Sequence, residues 1–109
     1  MAEVKVLCSL AMKAALTELA PRFERDSGNR VAAQWVGGAD IGKRLRAGDT
    51  SDLVIMAAAA IDDLIKEGLL AAGSRVDLVR SRIGVAVRAG AARPDISSAE
   101  TVRRAVLAA

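Results

Sequence analysis

The sequence contains no histidine, a single cysteine and only two aromatic residues, Phe23 and Trp35. Without histidine the chain lacks the commonest general base and the commonest transition-metal ligand. The lone Cys8 excludes an internal disulfide and a cysteine-rich zinc site, and a Cys–His hydrolase has no histidine to build on. No apolar run approaches the ~18 residues that a transmembrane helix needs, so direct membrane insertion is not expected.

The length of 109 residues predicts one domain spanning residues 1–109, and the 52% hydrophobic content is sufficient for a core. Charge is unevenly divided: residues 1–74 hold 9 basic and 10 acidic side chains, net −1, and residues 75–109 hold 7 and 3, net +4, which together give the overall +3. The basic part is either an ordinary solvated surface or a region that attracts an anion. Nucleic-acid binding is not expected, because stacking aromatic side chains are missing.

Apolar runs and helical periodicities alternate along the chain and predict four strands and four helices. The spacing favours a parallel sheet with right-handed crossovers. The fold class predicted is therefore α/β, a three-layer open sheet, parallel or mixed, with helices on both faces. The predicted strands are "VKVLCS" (4–9), "VAAQWV" (31–36), "DLVIMA" (52–57) and "RIGVAVRAG" (82–90).

Several local features predict details of individual helices and strands. Pro21 falls inside the first helical pattern and predicts a kink or a break near Ala20, and Gly28 should take a positive φ after that helix. The third strand shows no alternation, as expected when both of its faces are covered. Ser97 or Ser98 should cap the last helix, and Ser97 with Glu100 matches a capping box.

The stretch "WVGGADIGKRLRAG" (35–48) resembles a phosphate-binding loop, with Gly37, four residues, Gly42 and Lys43. A P-loop requires Ser or Thr next to hold magnesium, and Arg44 stands there instead. Asp40 within the loop would repel a polyphosphate. The segment is therefore either a tight turn into a helix or a site for a small anion or other small ligand.

Ligands of open α/β sheets bind at the carboxyl ends of the strands. Two strand-to-helix turns, residues 8–13 and 36–43, place backbone N–H groups and a helix N-terminus at that edge, which suits an anion. No nucleophile, base and orienting group can be assembled, so no catalytic residue, metal ligand or cofactor is expected. The candidate ligand-binding residues are Ser9, Leu10, Ala11, Gly37, Gly38 and Ala39.

From "VKVLCS" through "VAAQWVGGADIGKRLRAG", "TSDLVIMA" and "IDDLIKEGLL" to "SRIGVAVRAG", the chain resembles the first lobe of type II periplasmic solute-binding proteins, in the molybdate-binding-like branch. The similarity spans roughly residues 4–96. It implies one lobe of a two-lobe, non-enzymatic clamp that ends at about residues 91–109, where the second lobe would begin. It also implies a small oxyanion or other small solute as ligand and an ABC-transporter permease as partner of a full-length form.

At the two turns the molybdate-binding branch uses hydroxyls and backbone amides. This sequence keeps Ser9 but has Leu10 and Ala11 after it, and Gly37, Gly38 and Ala39 stand where serines are usual. Each lost neutral hydrogen bond weakens binding by about 0.5–1.5 kcal/mol. The resemblance implies a periplasmic location, whereas the start of the chain shows no signal peptide and as written predicts an unexported chain or the mature part of an exported one.

Two other hypotheses stay open. The last helix ends at "VLAA" without a cap, which suggests an interrupted element and a structural lobe that self-associates without a ligand. Such a half-fold would form a homodimer, with exchange of the C-terminal strand–helix segment as one arrangement. The third hypothesis, a small phosphotransfer or flavin enzyme, would require an acidic cluster or a hydroxyl-rich phosphate loop, and the sequence has neither.

Overall fold

A computed structural model describes residues 2–109. A short 3-10 helix, Leu10–Met12, lies between the first strand and the first α-helix. The strands are β1 (Glu3–Ser9), β2 (Arg30–Val36) and β3 (Leu53–Ile55), and the α-helices are α1 (Lys13–Ser27), α2 (Gly38–Arg46), α3 (Ala58–Lys66) and α4 (Ala99–Ala108). The predicted α/β class is confirmed.

The three strands form one parallel sheet in the order β2-β1-β3. Glu3 pairs with Arg30 and Ser9 with Val36, so β1 and β2 are aligned over their full length. β3 pairs with β1 from Val6 opposite Leu53 to Cys8 opposite Ile55. Each parallel pair is joined through helices, as the alternation of strands and helices predicted.

The core lies between β1 and the helices α2 and α3. Leu7 of β1 packs there with Ile41, Leu45 and Leu64, all no more than 5% exposed. Because side chains alternate along a strand, Val6 and Cys8 point to the other face of the sheet, where they too are buried. β1 is thus buried on both faces and is the central strand.

β3 lies at an edge of this sheet and is shorter than the predicted run of residues 52–57. Leu53 is 48% exposed, so the prediction that this strand is covered on both faces is wrong. The continuous apolar run gave no indication of position in the sheet. Asp52 fixes the register, because its N–H donates to the Lys5 carbonyl (2.9 Å) and its carboxylate accepts from the Lys5 N–H (2.8 Å).

α1 continues through Pro21 without a break. The helix contains no buried residue, so water can satisfy the carbonyl that a proline ring leaves without an N–H donor. α1 ends as predicted at Gly28, which has a φ of 74° and whose N–H donates to the Glu24 carbonyl at 3.0 Å.

The described residues fall into two compact units, one up to Leu78 and one spanning Val79–Ala109. The predicted fourth strand is absent, since residues 82–90 adopt no strand and their side chains are exposed. In the second unit Ser98, one of the two predicted capping residues, is the N-cap of α4. It forms a capping box with Thr101, so the predicted box of Ser97 with Glu100 is wrong. No helix within residues 2–109 is long and apolar enough to cross a bilayer.

Candidate functional site

The carboxyl ends of the three strands meet at one edge of the sheet. Ser9, the last residue of β1, pairs with Val36, the last residue of β2. β3 ends at Ile55 beside Cys8, one residue before the end of β1. The three strand-to-helix turns that follow therefore start at the same level of the sheet, where open α/β sheets bind their ligands.

Each of these turns begins a helix whose first N–H groups have no side-chain acceptor. The N-cap residues are Ser9, Gly37 and Ala57, all outside the helical region (φ/ψ −64°/150°, −59°/144° and −59°/138°), and none accepts a capping hydrogen bond with its side chain. Helices leave their first N–H groups without an intrahelical partner. The edge therefore offers several backbone donors to an external acceptor.

The sequence-predicted site residues occupy two of these turns. Ser9 is half-buried at the end of β1, and Leu10 and Ala11 are exposed in the 3-10 helix. Gly37 is half-buried, whereas Gly38 and Ala39 are exposed in the first turn of α2. The fold places both groups at the same edge, and their participation in binding stays a prediction.

The third turn, Met56 to Ala60, was missed by the sequence reasoning. A cavity of about 150 Å³ lies between α2 and α3, and Gly38, Ala39, Met56 and Ala60 contribute to its lining. The third turn carries no polar side chain, so only its position after a strand could have indicated it. The same cavity extends to Gly42, Leu64, Asp63 and Arg46.

The charged groups around this edge are few. Asp40 is the acidic residue in the first turn of α2, and the first turn of α3 has none. At the far end of α2, Arg46 is held by Glu67 through a 2.9 Å ion pair, which raises the pKa of Arg46 and lowers that of Glu67. The donors that the three helix starts offer are backbone amides. Lys13 and Lys43 of the two predicted turns are exposed and take part in none of the salt bridges among residues 2–109.

Cys8 has no accessible surface, and desolvation raises the pKa of its thiol. A buried neutral thiol is a poor nucleophile, so Cys8 acts as a small apolar core residue. Among residues 2–109 no group of three or more Cys, Asp or Glu side chains is placed to hold a metal ion. The arrangement is suited to hydrogen-bonding an acceptor group.

The chain matches a known protein family and is similar in sequence to a named protein. Residues 4–108 match the family model described as bacterial extracellular solute-binding protein. Over 104 residues the chain is 36% identical to an aconitate isomerase of a Pseudomonas species. The match covers 91% of this chain and 40% of that relative, so the chain spans less than half of its length.

Proposed function

Since the chain belongs to the bacterial extracellular solute-binding protein family, we propose that it binds a small anionic solute at the carboxyl edge of its sheet, without catalysing a reaction. The main support is the convergence at one edge of three helix starts that lack side-chain caps. Unpartnered amides and the positive end of a helix together favour an anion. The proposed ligand contacts are the amides of Leu10, Ala11, Gly38 and Ala39 with the hydroxyl of Ser9.

Among small anions we favour a carboxylate over molybdate. A carboxylate presents two acceptor oxygens, which adjacent amides in a helix first turn can bind. Molybdate presents four acceptor oxygens and therefore needs more hydrogen-bond donors. Of the six candidate residues, Ser9 alone has a side-chain hydroxyl to add to the backbone amides.

The non-catalytic part of the proposal rests on the side chains available. Moving a double bond requires a group that removes a proton and a group that returns it. The chain has no histidine or tyrosine, and Cys8 is buried as a neutral thiol, so an acid–base pair would have to be built from Asp, Glu or Lys side chains. The proposed contacts, four amides and the Ser9 hydroxyl, include no such pair. This chain would thus supply one side of a clamp. The second lobe and an ABC-transporter permease would be the partners of a full-length form. Within this chain, Gly37 would contribute to the ligand site as the N-cap residue of α2.

Calorimetric titration tests the proposal with trans-aconitate, lactate, molybdate and sulfate as ligands. A Cβ at Gly38 would meet no protein atom within 4 Å, so Gly38→Ala should fold normally while obstructing approach to the amides. We expect about a tenfold loss of anion affinity, the equivalent of ~1.4 kcal/mol. Gly84→Ala, another open position, is the matched control and should bind like the wild type. A folded protein that gives no heat with any of these anions would contradict the proposal.

Self-association is a second candidate function, favoured by an exposed apolar segment. In the second unit, Val79, Val85 and Val87 are 44–61% exposed, and Ile83 is fully exposed. Exposed apolar groups in such number mark an interaction surface. We propose a homodimer in which this segment is covered, with exchange of residues 79–109 between copies as one arrangement.

Light scattering at high micromolar concentration tests the dimer. Ile83→Ser should shift the mass toward that of a monomer, whereas Ala91→Ser, an exposed apolar-to-serine change, should leave the dimer intact. A monomeric mass for the wild type at every concentration excludes the dimer.

A further inference from the structure

Asp40 places a carboxylate at the start of α2, where the proposed solute would approach. It is the third residue of that helix and is exposed. Its Oδ2 atom lies 3.6 Å from the position that a Cβ on Gly37 would occupy. The side chain is therefore turned back toward the N-cap Gly37, at the end of α2 where the Gly38 and Ala39 amides lie.

The charge of Asp40 is not neutralised by a neighbouring side chain. Within residues 2–109, every salt bridge links other groups: Arg44 is paired with Asp49 and Arg46 with Glu67. Lys43, three residues after Asp40, is exposed and forms no salt bridge with it. An ionised carboxylate near the amides repels a second anion, and it repels a dianion about twice as strongly as a monoanion at the same distance. It also remains available as a hydrogen-bond acceptor.

The first turns of the other two helices at this edge lack such a charge, and the other carboxylate that lines the cavity, Asp63, belongs to the second turn of α3. The 3-10 helix Leu10–Met12 and the first turn of α3 contain no acidic residue. A solute that spans the edge would therefore meet amide donors on most sides and a carboxylate acceptor at α2. The ligand that fits best carries one carboxylate for the amides and a hydroxyl or ammonium donor for Asp40.

We propose that Asp40 determines the specificity of the edge, selecting small monocarboxylates that carry a hydrogen-bond donor and disfavouring doubly charged oxyanions and polycarboxylates. This inference rests on the proposed solute-binding function and names the class of solute. Hydroxy acids and amino acids share the required chemistry, since both pair a carboxylate with a donor.

The test compares Asp40→Asn with Asp26→Asn. Asp26 is an exposed residue in the last turn of α1, just before β2 begins, so it lies at the opposite edge of the sheet and its substitution changes the net charge equally. Each protein is titrated with lactate, serine, propionate, sulfate, molybdate and trans-aconitate. Lactate and serine distinguish a hydroxyl from an ammonium donor, and propionate lacks both.

Asp40→Asn should raise affinity for sulfate, molybdate and trans-aconitate by about tenfold at low salt and lower the preference for lactate or serine over propionate. The gain should shrink in 0.5 M NaCl, because salt screens exposed charges. Asp26→Asn should behave as wild type, and Asp40→Glu, which keeps the charge, should restore the wild-type order of ligands.

If the wild type binds these ligands and Asp40→Asn binds them in the same order of affinity, Asp40 does not determine specificity. The proposed solute-binding function would then still stand. Equal gains in Asp40→Asn and Asp26→Asn would show a general effect of net charge and would also overturn the role of Asp40. Failure of both the wild type and Asp40→Asn to bind any of these solutes, with circular dichroism showing folded proteins, would overturn the proposed function and this inference together.

Discussion

Arg46 and Glu67 form a two-pronged ion pair, with Nε 2.9 Å from Oε1 and Nη2 2.9 Å from Oε2. The pair joins the last residue of α2 to the residue after α3. The Arg46 guanidinium also lies over Gly42, where an added Cβ would approach Nη1 to 3.0 Å. One glycine in the middle of α2 thus leaves room for the side chain that links the two helices covering the core.

Replacing Gly42 tests this arrangement. Gly42→Ala should gain up to about 1 kcal/mol from helix propensity, because glycine is the poorer helix former. The gain should be partly offset, since the tip of Arg46 must move away from the new methyl group. Urea unfolding should show a small net stabilisation. Adding Glu67→Gln should separate the helix-propensity gain from the cost of moving Arg46. Without the ion pair the Arg46 side chain can move more freely, so Gly42→Ala should stabilise the Glu67→Gln protein more than it stabilises the wild type. Equal effects in the two backgrounds would show that Gly42 does not matter to the ion pair.

The same pair predicts a pH dependence of stability. Hydrogen bonding from Arg46, ahead of its charge, lowers the pKa of Glu67 in the folded state. A depressed carboxyl pKa stabilises the fold above the unfolded value of 4.5 and ceases to do so as the pH falls through the folded value. The stability difference between wild type and Glu67→Gln should therefore be constant from pH 7 to 5 and shrink below about pH 4.5. It should be small, because the pair is solvent-exposed.

The control is Glu18→Gln, at an exposed site with no ion pair among residues 2–109. The stability difference between Glu18→Gln and the wild type should not shrink below about pH 4.5 in the way expected for Glu67→Gln. A Glu67→Gln variant whose difference from wild type is as large at pH 3 as at pH 7 would contradict the assigned ion pair.

Leu64 is the residue of α3 that enters the core. It is 2% exposed and packs with Leu7, Ile41 and Leu45. Leu64→Ala should destabilise the protein by about 2–5 kcal/mol, because the lost contacts leave a cavity that a small core fills only in part. Chemical denaturation gives the value. Leu69→Ala, at a position 37% exposed, should cost much less, and equal losses would show that α3 does not pack as described.

The sequence predicted β1 and β2 to within one residue, since both are β-rich apolar runs bounded by polar or glycine residues. It placed a fourth strand at residues 82–90 on the same pattern, and the structure has none. A strand needs a neighbour for its N–H and C=O groups, and a pattern of side chains does not supply one. Ile83 is fully exposed, as expected of a run without a partner in the structure.

Two of the three turns at the carboxyl edge were predicted because serine and glycines follow β1 and β2. The turn from Met56 to Ala60 was missed, since alanines carry no functional group and their contribution is limited to backbone amides. The position of Asp40 in the α2 turn was visible in the sequence, but the return of its carboxylate toward Gly37 was not. Such a feature depends on a rotamer, which composition and spacing do not determine.

The last helix supplies a test of capping in the second unit. The Ser98 hydroxyl accepts from the Thr101 N–H at 3.2 Å, and the Thr101 hydroxyl accepts from the Ser98 N–H at 3.1 Å. Ser97 instead donates its N–H to Asp95 at 2.9 Å, and hydrogen bonding from Ser97 lowers the pKa of the Asp95 carboxyl. Ser98→Ala should therefore destabilise α4 by about 1 kcal/mol.

Hydrogen exchange of the amides in residues 99–108 measures this loss. One kcal/mol corresponds to roughly a fivefold faster exchange in α4, with little change up to Leu78, because the cap belongs to the second unit. Ser97→Ala is the matched control and should leave α4 exchange near the wild-type rate, since its contact with Asp95 lies outside the helix. Faster exchange in Ser97→Ala than in Ser98→Ala would assign the cap to Ser97, the other capping residue that the sequence allowed.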